Sequence, residues 1–378
     1  LADRTFFASE ITVDSTTAPA VGEMHENHFV VGGAPTAKNT IYYSSNFDVD
    51  SFSGSGAGSI QLTDAVVGLA SFRSDLVIFC QNSIFKLSNI SDSDNIAISP
   101  VTRNVGCLDG HSIQEIGGDL VFLSPDGIRT VAGTARIGDV ELSSVSRQIQ
   151  KIITTIADSI NSFTISSGVL RSKSQYRLFY TNTSLSASVS KGIIGTLTPN
   201  GFEWSETKGI QANGFASGLD SDGVEQAYHG DNTGYIYNHD TGSKFNTAGT
   251  ASNIESLYYT PDLDFGDIGT RKTIKYVKMS LTPEGEIQPA LHVKYDFESS
   301  DTPQPALYTL DSIPLPATFG SSDSTFGSAI FGATANPLVR QAVEGSGYTL
   351  SLRIKSDDQK SPYSINGFYI DYMPSGRK

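Results

Sequence analysis

Six histidines, two cysteines and several short acid clusters are the side chains of this 378-residue chain with chemistry to offer a site. His25 and His28 share the run Met24-His25-Glu26-Asn27-His28. The helical zinc-protease pattern places two histidines four apart, so a spacing of three that leads into a strand argues against a metal. His111, His229, His239 and His292 stand isolated in the sequence and read as surface or hydrogen-bonded side chains. Asp92-Ser93-Asp94-Asn95 and Asp220-Ser221-Asp222-Gly223 look like fragments of calcium loops, since hard cations take several carboxylate oxygens. Neither has the downstream Glu that completes an EF-hand, and both fall where strands need turns. The chain has no Gly-x-Ser-x-Gly elbow, no Gly-x-x-x-x-Gly-Lys-Ser/Thr loop and no Cys-x-x-Cys pair. Paired carboxylates for glycoside hydrolysis stay open, because they need only meet in space. The single Trp204 argues mildly against a groove that stacks rings on sugar faces. No catalytic, cofactor-binding or metal residue is therefore assigned, and no cofactor is expected.

The elements that would position any site repeat. Asp75-Leu76-Val77-Ile78-Phe79, the turn Cys80-Gln81-Asn82-Ser83 and Ile84-Phe85-Lys86-Leu87 line up with Asp119-Leu120-Val121-Phe122-Leu123, Ser124-Pro125-Asp126-Gly127 and Ile128-Arg129-Thr130-Val131 at an offset of 44 residues. An apolar strand, a tight polar turn and a second strand at this period are the signature of a β-propeller blade. Three looser echoes follow the same plan: His28–Gly33 with Thr40–Ser44, Gln175–Tyr180 with Gly192–Leu197, and Glu225–Gly230 with Tyr235–Tyr237. Polar turns such as Asn-Ser, Asp-Gly and Thr-Gly close these hairpins. The expected fold is all-β: a propeller of five to seven blades over residues 1–254, with Phe6 to Val13 available to pair with the last blade.

Composition agrees with many short strands. Charged residues make up only 17%, while Gly (36), Phe (20) and Tyr (16) are abundant. Lys and Arg number 26 against 40 acids, a net charge of −14. That balance fits colloidal solubility and argues against a dedicated sequence-reading DNA binder, which needs a basic face. An acidic surface could still face DNA that must slide without sticking. Two cysteines, Cys80 and Cys107, cannot make a disulfide scaffold, and a reducing compartment fits better than secretion. No apolar run approaches the roughly 18 residues of a membrane span, so no membrane anchor is expected. The chain opens on Leu1 rather than Met, which suggests a processed or truncated product.

One segment breaks the β pattern. Across residues 143–161, Val145, Ile149, Ile152, Ile153, Ile156 and Ile160 recur at helical spacing, with Ser143 or Ser144 as a cap and Arg147 and Lys151 on the polar face. An inserted amphipathic helix there would either cover a blade edge or pack on a neighbouring subunit. From residue 255 to 378 the strands lengthen (255–259, 274–281, 290–297, 348–354, 365–372) and alternate apolar with polar residues, as in a β-sandwich. Within that region the 299–336 loop is rich in Pro, Ser, Gly and Phe, including Thr318-Phe319-Gly320 and Thr325-Phe326-Gly327, and is a candidate contact with another chain.

The order of these segments resembles a known family. Asn39-Thr40-Ile41-Tyr42-Tyr43-Ser44, Asp48 to Phe52, Val67-Gly68-Leu69 and Asp75 to Leu87 are similar to the propeller of tail nozzle proteins of short-tailed bacteriophages. These are also called tail tubular protein B, with a related group of packaged-DNA stabilisation proteins. The resemblance continues through Asn104-Val105-Gly106-Cys107, His111-Ser112-Ile113, Asp119 to Ile128 and the helix near Ile149 to Ile153. It extends to Leu263-Asp264-Phe265-Gly266, Arg271-Lys272, Ile365-Asn366-Gly367-Phe368 and Pro374-Ser375-Gly376-Arg377. No counterpart of the family's usual region ahead of Leu1 is present. The resemblance implies a non-enzymatic virion protein, assembled in the bacterial host cytoplasm into a homohexameric ring. That ring would dock below a tail adaptor protein, carry fibres or spikes, and retain and then conduct double-stranded DNA during ejection; the residues lining its channel are not assigned. Two other functions fit a propeller: a module binding a cell-surface glycan, and a glycoside hydrolase whose carboxylates meet at the channel mouth.

Overall fold

A computed structural model describes Val13 and residues 18–132, 145–182, 191–247, 250–313 and 338–377. The chain divides into two compact units, residues 1–240 and 241–378, ahead of the boundary expected after residue 254. The short hairpin Phe245–Thr247 with Thr250–Ser252 falls in the second unit. The proposed closing strand, apart from Val13, lies outside the described residues, as do Ser143, Ser144 and residues 314–336 of the long loop.

The first unit is a β-propeller with five successive antiparallel sheets among the described residues. The first sheet holds Val21–His25, His28–Ala34, Ala37–Tyr43 and Gly58–Gln61; the second holds Val66–Phe72, Asp75–Cys80, Ile84–Ser88 and Ala97–Thr102. The third is Gln114–Ile116, Asp119–Ser124 and Gly127–Thr130. The fourth is Phe163–Leu170, Gln175–Asn182, Lys191–Thr198 and Gly201–Lys208, and the fifth is Gly214–Leu219, Glu225–Gly230 and Ile236–Asn238. Each of the five repeat units seen in the sequence supplies the second and third strands of one sheet. First strands of successive sheets adjoin: Val66–Phe72 packs on Val21–His25, and Phe163–Leu170 packs on both Gln114–Ile116 and Gly214–Leu219.

This stacking explains why the second strands read as unbroken apolar runs. Side chains on a strand point alternately to opposite faces, and an inner blade has a neighbour on each. Leu76, Ile78 and Cys80 pack with Val30 and Ile41 of the first sheet, while Val77 and Phe79 pack with Leu120 and Phe122 of the third. Val121 and Leu123 point the other way, joining Tyr176 and Leu178 of the fourth sheet. Phe79 and Phe122 meet at 5.1 Å between ring centroids.

The inserted segment is a 3-10 turn Arg147–Ile149, an α-helix Gln150–Asp158 and a second turn Ile160–Ser162. Ile149, Ile153 and Ile156 are buried in the same core as Val121, Ile128 and Tyr176. Trp204 Nε1 donates to Val145 O at 2.7 Å, tying the segment to the fourth sheet. Of the two expectations for this helix, covering its own blades is the one its apolar face fulfils.

The second unit is a β-sandwich. One sheet runs Ile254–Tyr259, Leu350–Asp358, Ala290–Tyr295, Tyr308–Thr309. The other centres on Thr270–Pro283, which pairs with Leu338–Ala342, Ser346–Gly347 and the long strand Tyr363–Arg377. Val277, Met279 and Leu281 of the second sheet share one core with Leu291, Val293, Leu352 and Ile354 of the first.

Candidate functional site

Among the described residues the fifth sheet is packed on one face and open on the other. Its inner face is clamped to the fourth sheet: Phe215 lies 5.2 Å from Phe179, and Ser217 Oγ donates to Val169 O at 2.7 Å. Glu225 accepts from the backbone N–H groups of Arg171 and Ser172 at 3.0 and 2.8 Å and from Ser172 Oγ at 2.6 Å. The Ser172 hydroxyl leads the bonds that hold this carboxylate below the usual range.

Behind the sheet lies a polar cluster that the sequence did not announce. His229 and His239 are not isolated: Nδ1 of the first is 2.7 Å from Nε2 of the second. Arg177, almost fully buried, forks onto Asp240 through Nη1 and Nη2 at 3.2 and 2.7 Å, and Nη1 lies 3.5 Å from His239 Nδ1. A guanidinium only donates, so His239 Nδ1 accepts, its proton sits on Nε2, and Nε2–H donates to His229 Nδ1. Burial, then His229 and Arg177, hold His239 down to about 4; burial also lowers His229. Burial pushes Asp240 up, but the bonds and charges of Arg177 and Lys173 outweigh it and leave its carboxyl below the usual range. The two histidines lie ten residues apart in sequence, and only the hairpin register of Glu225–Gly230 against Ile236–Asn238 brings them together.

This arrangement has a pH signature. His239 stays neutral in the fold below the ordinary imidazole value of 6.5 and down to about 4, whereas the unfolded chain protonates from 6.5. The unfolded state therefore binds more protons in that window, and stability falls as pH drops from 6.5 to about 4, then levels off for this group. Urea midpoints across that range are expected to decline in the natural chain and to decline less in His239→Gln.

The outer face presents Gly214, Ala216 and Gly218 on one strand, Tyr228 and Gly230 on the next, and Ile236 on the third. Ile236 is 77% exposed and Tyr228 41%, and side-chain space over Gly214 and Gly218 is empty. Exposed Val224 and Tyr235 extend the apolar surface at the turns. Asp220 and Asp222 rim it. The calcium-like Asp220 cluster is a turn: Asp220 Oδ1 accepts from the N–H groups of Asp222 and Val224, both at 2.9 Å. Asp92 does the same for Asp94 at 3.1 Å. Among the described residues no group of three His, Cys, Asp or Glu is placed to hold a metal ion, and His25 and His28 bond separately to Ser71 Oγ and Ser44 O.

A cleft of about 400 Å³ opens at the start of the fifth sheet, between the first strands of the third, fourth and fifth. Asp109, His111, Gln114, Phe163, Ser166 and Asn213 are among its lining residues. Its polar groups largely serve one another: His111 Nδ1 lies 2.9 Å from Asp109 Oδ1, Ser167 Oγ donates to His111 O at 2.5 Å, and Gln114 Nε2 donates to Ser167 O at 3.2 Å. Asp109 is the one carboxylate among the described lining residues, whereas glycoside hydrolysis uses two across the scissile bond. No described helix is long and apolar enough to cross a membrane. Cys80 and Cys107 are buried thiols, each pushed up to about 12 chiefly by burial.

No protein-family model and no curated protein matches the chain. Solved structures similar to it include Hsv2p of Kluyveromyces lactis, at 11% identity and TM-score 0.27, over 50% of this chain and 59% of that one. An exo-beta-1,3-galactanase from Phanerochaete chrysosporium matches at 11% identity and TM-score 0.29, over 93% and 95% of the two chains. A glycoside hydrolase family 43 arabinoxylan arabinofuranohydrolase from Bacillus subtilis matches at 11% and TM-score 0.18, over 91% and 63%. Likenesses this distant carry no functional argument.

Proposed function

We propose that this chain is a structural, non-enzymatic subunit of the tail nozzle of a short-tailed bacteriophage, assembling as a homohexameric ring that retains and then conducts double-stranded DNA. The observation that carries this is the outer face of the fifth sheet, where Tyr228 and Ile236 stand over small residues with nothing covering them among the described residues. A blade that packs on one side only leaves a surface for a neighbouring subunit. The ordered resemblance to nozzle proteins supplies the assembly, with an adaptor above and fibres or spikes attached. Charge is compatible with the task. Of the 40 acids, 25 lie before Thr241, against 14 of the 26 bases. Repulsion between acidic protein and phosphate suppresses sequence-independent sticking, the reverse of counterion-release binding.

The test is electron microscopy of virions and of the purified chain with its adaptor. Sixfold rings are expected at the tail end. Tyr228→Asp with Ile236→Asp should leave the circular dichroism spectrum and unfolding midpoint unchanged within about 0.5 kcal/mol, as for exposed positions, while abolishing rings. A protein absent from virions and monomeric beside its adaptor sinks the proposal. If such a monomer instead gave signal on a glycan array, lost on altering His111 or Asn213, the glycan-binding alternative would take its place.

A further inference from the structure

The second unit carries a surface of opposite character to the rim of the fifth sheet. Lys278 stands directly opposite Arg340 on one neighbouring strand and Tyr369 on the other. Like charges directly opposed across a sheet repel. Here they are held on aromatic rings instead: Arg340 sits 3.9 Å over Tyr276, and Lys278 lies 5.3 and 5.0 Å from the ring centres of Tyr276 and Tyr369. Neither cation forms an ion pair among the described residues. Asp371, opposite Tyr276, is engaged by that tyrosine's hydroxyl. Tyr369 is 61% exposed, and Leu338 and Met373 extend the same exposed surface.

We propose that this cation–aromatic ladder is the second half of the ring contact, docking on the acid-rimmed outer face of the fifth sheet of a neighbouring copy; it rests on the ring proposed above. A cyclic ring larger than a dimer needs two unlike surfaces on each subunit, one meeting the other around the circle. The two surfaces carry opposite charge. Among the described residues Gly214 and Gly218 leave empty space for tyrosine rings to approach, and the negative charge of Asp220 and Asp222 would meet two cations that make no ion pair there. A nucleic acid is the weaker occupant: a chain of net charge −14 repels a polyanion, and two cations neutralise few phosphates. Tyrosine and arginine at a desolvated centre with charges at the edge is also the usual composition of a protein contact.

Sedimentation velocity of the full chain, alone and with the adaptor, tests the pairing. Lys278→Glu with Arg340→Glu is expected to weaken self-association about a hundredfold or more, because each junction then opposes like charges. Ser221→Lys with Asp222→Lys should do the same from the other side, leaving the Asp220 turn intact. Neither variant assembles alone, yet a mixture of the two opposes unlike charges at both kinds of junction and restores assembly, with the two variants alternating around the ring. Added salt should weaken the natural assembly. Unchanged thermal unfolding of both variants separates lost contact from lost fold. A natural chain that forms rings, with the ladder variant assembling equally well or the mixture staying monomeric, overturns the pairing and leaves the ring standing. A natural chain that never self-associates overturns both.

Discussion

Replacing Gly106 by alanine is expected to destabilise the first unit by about 3 kcal/mol or more, beyond the usual cost of an overpacked site. A Cβ on Gly106 would lie 2.0 Å from Gln81 O and 2.2 Å from its carbonyl carbon, so the obstacle is backbone and cannot rotate aside. Nor can residue 106 retreat. Cys107 N–H donates to Cys80 O at 2.9 Å in the second sheet, and Leu108 N–H donates to Leu123 O at 2.9 Å in the third. Val105 and Cys107 on either side are buried in the core those two sheets share. Relief would break a bond to one blade or prise the blades apart. Gly218→Ala is the internal contrast, since a Cβ there meets nothing within 4 Å, and it should change stability by less than about 1 kcal/mol. Urea denaturation of the two variants decides the matter; equal midpoints would show that the second and third sheets do not share a fixed backbone contact at this point.

The repeat made the propeller legible because a blade's middle strands are its most constrained part. Leu76 to Cys80 and Leu120 to Leu123 are apolar at every position since both faces are covered, and that continuity is what the eye finds in the sequence. First strands were less visible. Gly214–Leu219 has an exposed face among the described residues and Val66–Phe72 must leave room at Gly68 for Ile113 and Gly110, so Gly, Ala and Ser intrude and the pattern fades. The helix was legible from Ile149, Ile153 and Ile156, but its destination was not, because an amphipathic face states only that something apolar covers it. The candidate site was the least visible. His229 and His239 meet through a hairpin register, and Arg177 reaches Asp240 across two sheets; neither relation leaves a periodic trace. The cation–aromatic ladder is similar, since Tyr276, Lys278, Arg340 and Tyr369 become neighbours only when three distant strands pair.

Asp240→Leu is expected to loosen the fifth sheet by about 2–4 kcal/mol, and the loss should be mostly recovered by adding Arg177→Met. Arg177 is 5% exposed in its side chain while Asp240 is 35% exposed, so the burden of an unpaired charge falls on the arginine. Removing one partner of a buried pair strands the other, whereas replacing both with apolar groups of similar size is often neutral. Gln175 Oε1 would still accept from Arg177 Nε and Nη2 at 3.2 and 2.7 Å, which sets the lower end of the range. Hydrogen exchange should localise the effect to Glu225–Gly230 and Ile236–Asn238, because Asp240 directly follows the last strand and its fork holds that end against the fourth sheet. The histidines give an independent readout. Arg177 is among the charges that depress His239, so Arg177→Met should raise that titration above about 4, while Asp240→Leu removes a carboxylate that raises it and should lower it further. NMR titration of the imidazole signals, read as the behaviour of a coupled pair, would reveal opposite shifts in the two single variants. Shifts in the same direction would mean that Arg177 and Asp240 act on the pair through packing rather than charge, and the fork would then be a spacer between two sheets instead of an electrostatic clamp.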